Sequence, residues 1–173
     1  ILSSSFEVTQ PEPWLRGELT DVPAVPRAVL HAMQLAGEDI GKWCGSLTAD
    51  ELNARPCNLP SVAFQLRHIA RSLDRLLTYA EGRSLSNDQW NALRSEIQPN
   101  ASSQAVFAEF TAALELSGQR VRALANADLE QARTVGKKAL PTTLGGLLVH
   151  VADHTQRHVG QAITTAKLIL AQR

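Results

Sequence analysis

Four long segments of this chain carry apolar side chains at alternating spacings of three and four. That period commits most of the chain to amphipathic helices that bury one face against each other. The first segment runs through Val25, Val29, Ala32, Met33, Ala36, Ile40 and Trp43, and the second through Val62, Leu66, Ile69, Leu73, Leu76 and Ala80. The third follows Val106, Phe110, Ala113, Leu114, Ser117, Val121 and Leu124, from about Ser103 to Ala125; the fourth runs from Leu144 to about Leu170. Local chemistry punctuates them. Asp21 is placed to cap the first helix, with Pro23 and Pro26 in the first turn, where a missing N–H is tolerated, and Gly45-Ser46 ends it. Thr48 and Glu51 form a capping-box pair for a short helix closed by Pro56, Ser61 caps the second long helix, and Gly82 stops it. Ser86 and Gln89 repeat the box for another short helix reaching about Ile97, before a break at Pro99-Asn100. Residues 126–142 read as a loop with a small hairpin around Gly136, and Thr143 caps the last helix.

The expected fold is therefore all-α, a four-helix bundle with short extra helices in its connections. It forms a single domain over residues 1–173, of which 1–20 are an irregular arm anchored by Trp14. A chain of 173 residues buries enough surface for one core without a staple. Seventeen Lys+Arg against seventeen Asp+Glu leave a formal charge of zero, which argues against a nucleic-acid binder or an electrostatic membrane anchor. No stretch approaches the roughly 18 apolar residues that span a bilayer, so no membrane partner is expected. The opening residues show no secretory pattern, and two cysteines, Cys44 and Cys57, are too few for a disulfide scaffold. Both points fit a cytoplasmic protein.

The last helix carries the chemistry. His150, His154 and His158 follow one another at intervals of four, so their side chains stand one helical turn above each other. Leu147, Val151, His154, His158, Gln161, Thr165 and Leu168 continue one seam, placing two imidazoles and an amide where a bundle helix normally buries aliphatics. Imidazoles in such positions need a partner, which is either a set of hydrogen bonds or a divalent metal. His68, midway along the second long helix, is placed to supply a third nitrogen across the bundle, and three protein ligands leave an open coordination position. The His-Glu-x-x-His pattern of metalloproteases is absent, since Val151 follows His150 and Thr155 follows His154.

The tract His150-x-x-x-His154-x-x-x-His158-x-Gly160-Gln161, combined with a lone histidine on the second long helix, resembles the DinB-like superfamily, which includes YfiT-type proteins and related thiol-dependent transferases. The resemblance spans essentially the whole chain. It implies a four-helix bundle whose metal is held by His68, His154 and His158, with His150 and Gln161 beside the ligands. Three imidazoles suit several transition metals, and zinc is the first expected, with nickel or iron as alternatives. The chemistry implied is a metal-dependent transfer of a low-molecular-weight thiol (bacillithiol, mycothiol or glutathione) to a small electrophile, or a hydrolysis. A non-enzymatic metal-binding or stress-associated bundle is the alternative, and homodimerisation is a further expectation. Many members carry Arg between the last histidine and the glycine, where this chain has Val159.

Other residues are read more plainly. His31 lies off the first helix's apolar run and is expected at its boundary or surface, Cys44 in the packing, and Cys57 in a loop near the bundle mouth. Asp153 is expected to face solvent, Arg67, Arg71 and Arg75 to form a solvated row, and Gly145-Gly146 to permit close helix contact.

Overall fold

The computed structural model describes residues 10–96 and 102–173. Its long helices are α1 (Ala24–Cys44), α3 (Val62–Ala80), α5 (Ser103–Ala123) and α6 (Leu144–Leu170), joined through the short helices α2 (Ala49–Asn53) and α4 (Asn87–Arg94). Helix α6 packs against α1 and α3, and α5 closes the ring by packing against the same two helices. The four stripes meet in one core, where Ile40, Leu66, Ile69, Leu73 and Leu148 are fully buried. Strands β1 (Ala132–Val135) and β2 (Leu140–Thr143) pair antiparallel as the hairpin expected around Gly136, and Arg133 Nε donates to Ala80 O at 2.6 Å to fasten it to the end of α3.

The expected punctuation is visible at most helix ends. Thr48 and Glu51 satisfy each other's backbone N–H groups, as do Ser86 and Gln89, while the hydroxyls of Ser61 and Thr143 accept from Phe64 N and Gly146 N. Helix α1 differs. It starts at Ala24, after an extended Pro23, and Asp21 does not cap it. Val22 is buried and its N–H bonds to Leu19 O, so residues 19–22 are held in a turn that postpones the helix. Helix α4 stops at Arg94 and α5 at Ala123, each short of its expected end; Ile97 and the break at Pro99-Asn100 lie outside the described residues.

The arm also departs from expectation. Pro13 is buried, whereas Trp14, the expected anchor, is 62% exposed and donates its indole N–H to Glu12 at 2.8 Å. The glycine pair at the start of α6 serves the hairpin loop rather than another helix. A Cβ on Gly145 would stand 3.2 Å from Leu129, and one on Gly146 would stand 2.9 Å from Thr142 Oγ1.

Candidate metal centre

On α6 the buried positions are Leu144, Leu147, Leu148, Val151, Thr155, Val159, Ala162, Thr165, Ala166 and Ile169. His154 and His158 occupy the neighbouring stripe at the border between α6 and α3, where each is half-buried. Of the seam expected through the histidines, Leu147, Val151 and Thr165 are buried, His154 and His158 half-buried, and Gln161 and Leu168 exposed. Helix α3 presents His68 to the same border. Its ring centroid lies 5.1 Å from that of His154 and 4.3 Å from that of His158, and the latter two are 4.5 Å apart. One nitrogen from each ring falls within 4.8 Å of the others. His150 stays outside this group, half exposed, with its ring 5.4 Å from that of His154 and its Nδ1 3.9 Å from Asp153. Asp153 is exposed as expected and pairs with Arg157.

Two of the three rings are oriented by acceptors. His68 Nδ1 lies 2.8 Å from a carboxylate oxygen of Glu96, and His158 Nδ1 lies 2.7 Å from Gln65 Oε1. Both partners are acceptors, so each Nδ1 carries the proton and each Nε2 is left with its lone pair. Gln65 is itself fixed, since its Nε2 donates to Gln161 Oε1 at 2.9 Å. Gln161 thus acts on His158 through Gln65 and also through a side-chain hydrogen bond of its own to that ring. This pattern is the one found behind metal-ligating histidines, where a carboxylate or carbonyl sets the tautomer and raises the ring's basicity.

Gln65 and Glu96 escaped the sequence reading. Gln65 had a weak signal, a polar residue at core spacing three positions before His68, and it is 1% exposed. Glu96 had none, because short helix α4 and its tether decide where it falls. Arg71 donates to Ala92 O at 2.8 Å and to Ser95 Oγ at 2.9 Å, clamping the end of α4 to α3, and Glu96 follows directly. Arg75 then meets the other oxygen of Glu96 at 2.7 Å and donates to Ser72 Oγ at 2.9 Å. The arginine row of α3 is therefore not a solvated face: Arg71 also binds Glu109, and Arg75 is committed to Glu96.

The electrostatics follow from burial. Desolvation, helped by the neighbouring histidines, pushes His154 down to about 4. Desolvation, with His68 and Arg157 nearby, pushes His158 down to about 4 as well. Both rings are neutral at pH 7 and present lone pairs rather than protons. Burial opposes ionisation of Glu96, but His68 and Arg75 outweigh it and hold its carboxyl below the usual value. The site thus sets two neutral imidazoles beside His68 and its anionic partner Glu96, a donor set that fits a divalent transition metal.

Other residues take different places. His31 is 8% exposed and so belongs to the interior, in contrast to the boundary position expected for it. Cys44 is buried as expected, and burial raises its thiol to about 11; Cys57 is exposed in a tight turn with φ 52°.

A family model of the DinB superfamily matches residues 32–162, well over half of the chain and inclusive of all three histidines. The chain belongs to the DinB superfamily. No curated protein matches it. The match agrees with the all-α bundle. Among the described residues, no helix is long and apolar enough to cross a membrane.

Proposed function

We propose that this DinB-superfamily protein holds a divalent metal, zinc first, on His68, His154 and His158, and uses it in a transferase or hydrolase reaction on a small molecule. The observation that carries the reading is the convergence of three ring nitrogens within 4.8 Å, with two of the rings held at Nδ1 by Glu96 and Gln65. Three protein ligands leave a coordination position open, the arrangement of catalytic rather than structural zinc. A divalent ion bound there lowers the pKa of a thiol or water and supplies a nucleophile near neutral pH.

The chain's own residues prepare that chemistry. Glu96 holds His68 in one tautomer and offsets part of the charge a cation brings. Gln65 does the same for His158 without adding charge, and Arg75 keeps Glu96 in place. Half-burial of the rings leaves a solvent-side approach for a substrate. Val159 places no cation after the last ligand, so any charge on the substrate must be met elsewhere. The favoured reaction is addition of a low-molecular-weight thiol to an electrophile, in a cytoplasmic and homodimeric protein.

The test uses untagged, zinc-reconstituted protein with glutathione and monochlorobimane as thiol and electrophile. Zinc-dependent conjugation that His158→Ala abolishes is the expected result. Equal rates for wild type and His158→Ala would refute a catalytic metal at these histidines. Full zinc occupancy without turnover, toward this or any other thiol–electrophile or ester pair, would favour the non-enzymatic bundle instead.

A further inference from the structure

An open cleft of about 650 Å³ lies between the N-terminal arm, α1 and α6. None of the three clustered histidines lines it. Residue 156 sits opposite 154 and 158 around α6, so the cleft and the candidate metal centre lie on different sides of that helix. Its origin is readable in α1. Ala24, Ala28 and Ala32 fall one turn apart where larger side chains would fill the gap, and Trp14 of the arm forms one wall. Gln156 donates to Ala32 O at 2.7 Å and ties α6 to α1 at this point.

Small residues alone would leave only a groove. Two polar side chains make it more. His31 lines the cleft, is more than nine-tenths buried, and has an Nε2 with no hydrogen-bond partner among the described residues. Arg27 lines it one turn earlier on the same helix and forms no ion pair among the described residues. A buried polar group without a partner is unfavourable unless a ligand completes it, and a guanidinium one turn from an imidazole is a donor pair suited to a carboxylate. Glu18, also on the lining, opposes an anion. It is partly offset by Arg16, which feels its charge.

We propose that this cleft is a second ligand site, separate from the histidine cluster, that takes a small carboxylic acid with an apolar body. The acid group sits at Arg27 and His31, and the apolar body lies against Trp14 and the alanine stripe. Its volume is in the range of small-molecule sites, and its mostly apolar wall with a few convergent polar groups is their usual composition.

The test is calorimetric titration of the full chain with octanoate, and with octanol as its uncharged counterpart. Saturable one-to-one binding of octanoate, with octanol about tenfold weaker or more, is the expected result. Arg27→Gln should weaken octanoate by a similar factor without changing octanol, and Glu18→Gln should tighten octanoate by removing the opposing charge. His158→Ala should bind octanoate as wild type does. Equal affinities for acid and alcohol, or an Arg27→Gln variant that binds octanoate normally, would overturn the assignment. Loss of octanoate binding in His158→Ala would overturn it too, by placing the acid at the histidine cluster.

Discussion

Replacing Glu96 by Gln probes the link between the fold and the metal centre, because it keeps the side chain's shape and removes only its charge. Glu96 is 4% exposed, lies 2.8 Å from His68 Nδ1 and meets Arg75 at 2.7 Å. The variant loses the anion that orients His68 and offsets the charge of a bound cation. Groups that orient a ligand histidine in this way are worth about 10–100-fold in metal affinity, or roughly 1.4–2.7 kcal/mol. Arg75 also loses its counter-charge, but Ser72 still accepts from it, so the cost to the metal-free fold is about 1–3 kcal/mol. In a domain of this size that lowers Tm by roughly 2–12 °C. Zinc affinity is measured by competition with a chromophoric chelator, and Tm by circular dichroism of the metal-free protein. A purely structural role lowers Tm and leaves zinc affinity within twofold of wild type. That outcome would refute the argument that Glu96 tunes a metal ligand.

Three further outcomes follow from the packing and the titrating groups. Leu66, fully buried between helices, should cost about 2–5 kcal/mol when cut to Ala, against less than about 0.5 kcal/mol for the exposed Leu116, by urea unfolding. Ellman's reagent should titrate exposed Cys57 in the native protein and reach Cys44, whose buried thiol is raised to about 11, only after unfolding. Bonds from Arg173 and the Thr48 backbone lower Glu51 to about 2, so its stabilisation is complete above its ordinary 4.5 and drains away as pH falls toward 2. Acid titration of Glu51→Gln should show a shallower loss of stability in that window than wild type, and superimposable profiles would contradict the assignment.

What could be read from the residues was what short-range chemistry decides. Thr143 and the helical period after it place α6 at Leu144–Leu170, and the spacing of His154 and His158 already puts both rings on one side of that helix. The pairing of α6 with α3 then brings His68 to them. What could not be read was set by contacts distant in sequence. Glu96 reaches His68 only because Arg71 pins the end of α4, and no local pattern in Ser95-Glu96 announces that. His31 looked peripheral because it leaves the apolar run of α1, yet it is only 8% exposed in the wall of the cleft between α1, the arm and α6. Trp14 erred the other way: a large apolar residue was expected to pack, but the alanine stripe opposite gives it a cleft rather than a core to meet.

The central claim is that His68, His154 and His158 together hold one metal ion. Elemental analysis of untagged protein, purified without chelators or nickel resin, tests it most directly when wild type is set beside His158→Ala. The account requires close to one transition-metal ion per chain in the wild type and a large loss in the variant. Metal-free wild type, with both proteins taking up added zinc equally, would contradict it and leave the three imidazoles as a hydrogen-bonded edge of the core.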